Sequence, residues 1–141
     1  MAEARFEKLA HSDEPLYGPR KLVLCGFGRE AQPKFKKVLD FAGLADVPVV
    51  WAEADDATAK MGELFQRPAD TGLGAGSALK RAVIVAGITE NELHNLMNVC
   101  KKTGMQASLW AALTPTSETW TLKALLEELS AERRQLAGNR R

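Results

Sequence analysis

The chain has few of the residues from which catalytic and metal sites are usually built. It contains two histidines and two cysteines in 141 residues. Neither His11 nor His94 has a partner at the spacing of a zinc site or a catalytic triad. Cys25 and Cys100 lie within apolar segments, which is typical of small core residues kept reduced in a reducing compartment. We therefore predict no catalytic residue, no metal site and no cofactor.

The chain also lacks a strong charge and a long apolar run. Its 19 basic and 18 acidic residues give a formal net charge of +1, which provides little attraction for nucleic acid or acidic lipid. No apolar run is as long as a membrane span. The lysines include two small basic groups, and we interpret these as solvated helix faces, with contact to RNA as an alternative; the groups are Lys34, Lys36 and Lys37, and Lys101 and Lys102.

Four short apolar runs predict β-strands. They read KLVLCGF, DVPVVWA, RAVIVAG and ASLWAAL, and they are continuous rather than alternating, which favours a sheet covered on both faces. Helical stripes follow each run. We predict these inward-facing side chains on the second and third helices: Met61, Leu64 and Phe65, then Leu93, Leu96, Met97 and Cys100.

The chain repeats itself. LVLCGFGREAQPKFKKVLDFAGL (22–44) aligns without gaps on VIVAGITENELHNLMNVCKKTGM (83–105), and each copy continues into another strand and helix. We predict an α/β domain, a four-stranded mostly parallel sheet built from two β-α-β-α repeats. A ferredoxin-like α+β sheet, in which strands two and three run antiparallel, is the alternative. The predicted boundaries are a flexible tail 1–19, a domain 20–136 with repeats 20–66 and 81–136, and a charged tail 137–141.

Several residues are predicted to shape turns and helix ends. Gly26 and Gly87 follow the first strand of each repeat, and Gly43 and Gly104 close the helices. Thr89 and Glu92 have the spacing of a capping box.

The segment GFGREA (26–31) satisfies the pattern G-x-G-x-x-A of dinucleotide-binding turns, with Glu53 as the ribose-binding acid. The second glycine of that pattern must let the backbone approach a pyrophosphate, yet the matching position in the second repeat is Thr89. We therefore interpret Gly26–Phe27–Gly28 as a structural turn, and a small nucleotide- or dinucleotide-binding module is the alternative function. The glycine-rich TGLGAGS (71–77) follows a helix rather than a strand, so we predict a mobile loop instead of a phosphate cradle.

The segment TPTSETW (114–120) offers hydroxyls and a tryptophan just before the last helix. Ser117, Thr119 and Thr121 can cap that helix, and Trp120 is expected to cover the end of the sheet next to Trp110. The same side chains would also line a crevice at the carboxyl end of a strand, where α/β proteins bind ligands or partners. The candidate partner-binding residues are Trp120, Thr114, Pro115, Thr116, Ser117, Trp110, Trp51 and Phe27.

Three segments of the chain, KLVLCGF, RAVIVAGIT and LTPTSETWTLKALLEEL, resemble the bacterial and plastid family called domain of unknown function 3783. The similarity covers residues 20–133. These positions carry the motif: Gly26, Phe27, Gly87, Thr114, Pro115, Thr116, Trp120 and Leu122. None is a good nucleophile or general acid–base group, which favours binding over catalysis.

Plant and algal members of this family resemble chloroplast proteins that assist photosystem I assembly at the stromal face of the thylakoid. The resemblance therefore implies a non-enzymatic assembly or adaptor protein, whose partners are photosystem I subunits or other assembly factors. It implies a stromal location with peripheral membrane association through partners; without the resemblance, a cytoplasmic location is expected. The oligomeric state does not follow from the sequence.

Overall fold

The computed structural model describes residues 13–105 and 108–139, with side chains to residue 135. The strands are β1 (Lys21–Cys25), β2 (Val49–Ala52), β3 (Ala82–Ala86) and β4 (Leu109–Ala112). The α-helices are α1 (Ala31–Phe41), α2 (Met61–Leu64), α3 (Glu90–Lys102) and α4 (Leu122–Asn139), and two 3-10 helices span Ala54–Thr58 and Ser117–Thr119. No helix in the described part of the chain is both long and apolar enough to cross a membrane.

The four strands form one open sheet in the order β2-β1-β3-β4. The pairs β1–β2 and β3–β4 are parallel, and the central pair β1–β3 is antiparallel. The predicted four-stranded α/β sheet is therefore confirmed, and "mostly parallel" describes it only loosely because the sheet is mixed. Strands β2 and β3 run in opposite directions, as in the ferredoxin-like alternative, but they lie at separate positions and do not pair.

The central antiparallel pair results from an extra pass of the chain along the edge of β2. After α2, Asp70 N–H donates to Val49 O at 2.7 Å and Trp51 N–H donates to Thr71 O at 2.8 Å, so the chain passes along the outer side of β2 in the direction of that strand. The segment is a turn rather than a strand, since Asp70 has a φ of +65° and Thr71 N–H donates to Pro68 O at 3.2 Å. Leu79 then lies against Gly26, at the carboxyl end of β1. Because the chain is already at that end, β3 enters the sheet there and runs opposite to β1.

The two β-α-β-α units are related by an approximate two-fold axis. Val23 and Ile84, which the sequence repeat makes equivalent, are also register partners across β1 and β3. Lys60 and Thr121 are equivalent too and form an isolated bridge. Around that bridge Met61 N–H donates to Trp120 O and Leu122 N–H donates to Ala59 O, both at 2.9 Å. Equivalent residues meet at both places, as a two-fold axis through the middle of the sheet requires.

Each face of the sheet is covered by helices. Leu22 and Leu24 face α1 and α3, in a core with Phe35 and Leu96. Val23 and Cys25 face the opposite core, which contains residues of α2 and α4. Burying an apolar side chain of this size stabilises the fold by roughly 1.5–3 kcal/mol, so both cores hold the sheet in place.

Gly26 and Gly87 make equivalent turns after β1 and β3. Their φ angles are +74° and +67°, a region that disfavours side chains. A Cβ on Gly26 would lie 2.4 Å from Leu79 O, and one on Gly87 would lie 2.4 Å from Arg20 N. Close backbone approach therefore requires glycine at both turns. Gly43 and Gly104 also have positive φ and follow the ends of α1 and α3.

The segment before β1 is attached to the turn that follows β3. Leu16 N–H donates to Ile88 O at 2.8 Å, Gly87 N–H donates to Tyr17 O at 3.2 Å, and Pro15 bridges to Thr89. Part of the predicted tail 1–19 therefore pairs with the domain, while residues 1–12 lie outside the described residues. At the other end, α4 continues to Asn139, into the segment predicted as a charged tail.

Glu92 joins a helix cap to an ion pair. Thr89 Oγ1 accepts from Glu92 N–H at 3.0 Å and Glu92 Oε1 accepts from Thr89 N–H at 2.8 Å, which is a capping box. Arg20 donates to both carboxylate oxygens of Glu92 at 2.7 Å. These Arg20 hydrogen bonds are the main cause that lowers the pKa of Glu92 to about 2, and the Thr89 bonds add to the effect.

Replacing Glu92 by glutamine should remove pH-dependent stability. The folded-state pKa is depressed, so the contribution of Glu92 is fully present above its ordinary pKa of about 4.5 and is lost as the pH falls toward about 2. We expect Glu92→Gln to cost ~1–2 kcal/mol at pH 7, allowing for the partial exposure of the pair. The free energy of unfolding, measured by urea denaturation between pH 2 and pH 7, should show a shallower acid decline in Glu92→Gln than in an exposed control, Glu127→Gln. Equal declines would contradict this role.

Candidate functional site

The hydroxyl side chains just before α4 form hydrogen bonds within the protein. Thr114 N–H donates to Ser117 Oγ at 3.0 Å and Ser117 N–H donates to Thr114 Oγ1 at 2.9 Å. Thr119 Oγ1 donates to Thr116 O at 2.8 Å, and Thr121 Oγ1 accepts from Ala124 N–H at 3.2 Å. The side chains of Thr114, Ser117 and Thr119 therefore stabilise the turn before α4, and Thr121 caps the helix. Thr114, Pro115 and Thr116 are exposed, and Ser117 is buried.

The four aromatic candidates separate into two core residues and two surface residues. Phe27 and Trp51 are each 2% exposed and pack edge-to-face with centroids 6.0 Å apart. Little of either side chain is accessible to a partner, so their role in partner binding stays a prediction that their burial does not favour. Trp110 and Trp120 are half-buried and pack against opposite cores, so the expectation that Trp120 lies next to Trp110 is wrong.

The Gly26–Phe27–Gly28 turn is occupied by the chain itself. Gly28 O accepts the N–H groups of Ala31 and Gln32 at 3.0 and 3.2 Å, and these are the helix-end amides that an anion would need. The buried Gln32 side chain accepts from Gly74 N–H at 2.7 Å and donates to Ala75 O at 2.9 Å. The predicted mobile loop is thus tied to this turn at two points, and the geometry does not favour the nucleotide-binding alternative.

Both thiols are unsuited to nucleophilic attack at neutral pH. Burial raises the pKa of Cys25 to about 12, and burial raises the pKa of Cys100 to about 11. Since the thiolate is the reactive form, both stay protonated. Residues 13–105 and 108–135 contain no cluster of three or more His, Cys, Asp or Glu side chains that could hold a metal ion.

A groove with a largely apolar lining lies between α3 and β4. It has a volume of about 420 Å³, and Met97, Met105 and Trp110 line it together with the edge of Phe27 and basic side chains at Lys101 and Arg133. Met97 is 37% exposed, although its place on the apolar stripe of α3 predicted that it faces inward. Methionine adapts its shape to different partners and tryptophan often anchors them, so this groove can receive an apolar side chain.

The equivalent groove of the first unit is polar and is closed at its edge. It has a volume of about 370 Å³ and contains Lys36 and Asp70, whose Nζ and Oδ1 atoms form an ion pair at 3.0 Å. In the sequence alignment Lys36 corresponds to Met97. The two units thus place different chemistry at equivalent positions.

The edge strands differ in the same way. All four residues of β2 are buried, because residues 70–71 hydrogen-bond along its outer side. In β4 only Leu109 is buried, and Trp110, Ala111 and Ala112 are half-buried. The candidate functional site is therefore the α3–β4 edge, which we define by the groove and the outer side of β4. Of the residues that line the groove, Trp110 and Phe27 were predicted from the sequence as partner-binding, Met97 was predicted to face inward, and Met105 was not predicted.

No curated protein and no solved structure matches the chain. One family model does match, and it covers the unit that carries the α3–β4 edge. Residues 81–136, the second β-α-β-α unit, match the model of the family described as "Domain of unknown function (DUF3783)", so the resemblance noted in the sequence is confirmed for this part of the chain.

Proposed function

We propose that this protein is a non-enzymatic adaptor that binds protein partners through the α3–β4 edge. The observation that carries the proposal is the contrast between the two units. Equivalent strands and grooves exist in both, yet β2 is buried while β4 and its neighbour Met97 remain partly exposed. Exposed apolar surface around a groove is typical of an interaction site.

The polar groups near this edge and in the conspicuous sequence motifs support binding rather than chemistry. The hydroxyls of the Thr114–Thr121 segment cap turns and a helix. The two thiols have raised pKa values. The α3–β4 edge would therefore bind another molecule mainly through its shape, its apolar area and the positive charges of Lys101 and Arg133.

The family resemblance supplies the biological setting of this proposal. Within that setting the protein assists photosystem I assembly at the stromal face of the thylakoid. It reaches the membrane through its partners, which are photosystem I subunits or other assembly factors. Trp110 and Met97, rather than Phe27 and Trp51, are the side chains that we assign to the contact.

Affinity capture from solubilised thylakoids tests this function. We expect the immobilised full chain to retain photosystem I subunits or assembly factors, and Trp110→Ala to weaken retention by roughly 30-fold, as loss of an interface anchor of about 2 kcal/mol predicts. Phe41→Ala is the matched control, because Phe41 is 77% exposed on α1 of the other unit and should have no effect. Capture that recovers no photosystem proteins would refute the assignment.

A further inference from the structure

The backbone of β4 presents hydrogen-bonding groups to its outer side. Leu109 N–H donates to Arg81 O at 2.9 Å and Leu113 N–H donates to Val85 O at 2.8 Å, both toward β3. Because N–H direction alternates along a strand, the N–H and C=O groups of Trp110 and Ala112 point away from β3. Among the described residues, no hydrogen bond uses Trp110 O or Ala112 N–H.

The first unit shows what such an edge accepts. The two-fold relation equates Trp110 with Val49 and Ala112 with Trp51. In the first unit, Val49 O accepts from Asp70 N–H and Trp51 N–H donates to Thr71 O. Gly72 follows so closely that a Cβ there would lie 2.1 Å from Trp51 O. The covering segment is a tight turn, since Asp70 has a φ of +65° and Thr71 N–H donates to Pro68 O at 3.2 Å. It runs along the outer side of β2 and continues into Gly72, a residue without a side chain.

We propose that the outer edge of β4 binds a segment of a partner protein folded in a turn like that of residues 68–71, which runs along β4 as that turn runs along β2. This inference rests on the proposed adaptor function and specifies its binding mode. Main-chain hydrogen bonds to Trp110 O and Ala112 N–H give affinity, and side chains facing the groove give specificity.

The groove determines the chemistry of the partner segment. In the first unit the side chain at position 70 is an aspartate, which pairs with Lys36. Met97 replaces that lysine in the second unit, so the equivalent partner residue is apolar and rests on Met97 and Trp110. The residue two positions later is glycine or another small residue, by analogy with Gly72. An acidic residue nearby would complement Lys101 and Arg133.

Two synthetic peptides test the proposal on the isotope-labelled full chain. The first has the sequence of residues 66–75 with leucine in place of Asp70, and the second is the unchanged sequence. We expect the leucine peptide to shift the amide resonances of Trp110 and Ala112 and to bind about 10-fold more tightly than the aspartate peptide, since burial of a leucine contributes that much or more. Failure of the leucine peptide to shift these amides at ~1 mM, the limit of weak binding, would overturn the proposal.

Two variants separate binding at the β4 edge from nonspecific apolar contact. Met97→Lys gives the second unit the residue found in the first, and it should reverse the preference so that the aspartate peptide binds more tightly. Ala112→Pro removes the outward N–H without removing a bond to β3, a change tolerated on edge strands, and it should abolish binding of either peptide. Unchanged preference in Met97→Lys, with the protein folded, would show that the peptide does not take the position of residues 70–72.

The remaining outcomes are also decisive. Protection of Ala112 N–H that grows with protein concentration in the absence of peptide would assign the edge to a second copy of this chain and overturn the partner assignment. If thylakoid capture succeeds equally well with Ala112→Pro, the binding mode fails while the adaptor function stands. If the peptides bind as expected and thylakoid capture yields no photosystem protein, the biological setting fails while the binding mode stands.

Discussion

Replacing Phe27 by alanine is expected to reduce the free energy of unfolding by ~3–5 kcal/mol. The ring is 2% exposed, and it packs edge-to-face on Phe35 with centroids 5.1 Å apart. The guanidinium carbon of Arg81 lies 4.0 Å above the Phe27 ring, which adds a cation–π contact. Truncation would leave a cavity and would also remove this contact from a partly buried cation. Urea denaturation monitored by circular dichroism measures the loss.

Phe41→Ala is the matched control for this prediction. The same side chain is removed, but Phe41 is 77% exposed, so we expect a change within about 0.5 kcal/mol. The comparison tests whether the Gly-Phe motif of the first strand serves the core. If Phe27→Ala were as stable as Phe41→Ala, Phe27 would not be a core residue, which would contradict the structure.

Replacing Gly72 by alanine is expected to cost ~3 kcal/mol or more and to uncover the edge of β2. Its φ angle is +82°, a conformation that costs an L residue roughly 1–2 kcal/mol. The added Cβ would also lie 2.1 Å from Trp51 O, and relief of such overlap by backbone shifts costs about 1–3 kcal/mol more. Since residues 70–72 must move away, the hydrogen bond from Trp51 N–H to Thr71 O should break.

Gly74→Ala is the control, because it separates backbone conformation from steric overlap. Gly74 has a φ of +90° but no atom within 4 Å of an added Cβ. We expect it to cost only about 1 kcal/mol, with Trp51 N–H still bonded. Urea denaturation and amide exchange at Trp51 measure both effects, and equal losses in the two variants would show that contact between Gly72 and β2 is unimportant.

The strands and helices could be predicted from the sequence because their patterns are local. The apolar run AVIVA forms β3, and the predicted Thr-x-x-Glu motif caps α3. The mixed strand order could not be predicted in this way. It depends on residues 70–71, whose polar and small side chains carry no strand pattern although their backbone covers β2.

The candidate site could not be predicted from the sequence for a related reason. The helical period places Met97 on the inward stripe with Leu93 and Leu96, and the period cannot show that α3 lies over an edge strand. Once the topology is known, Leu96 is fully buried and Met97 is 37% exposed. A sequence repeat predicts the features that two units share, whereas the candidate site here comes from their differences. Met97 stands where the first unit has Lys36, and among the described residues the outer edge of β4 is uncovered where that of β2 is covered.

Amide hydrogen exchange at two equivalent residues tests the central claim most directly. Trp51 N–H bonds to Thr71 O on the outer side of β2, and Ala112 N–H occupies the equivalent position on β4. We predict that Trp51 is protected and that Ala112 exchanges near the rate of an unprotected amide until a partner segment binds. Equal protection of the two amides in the isolated monomer would mean that the β4 edge is already covered, and no partner segment could dock there.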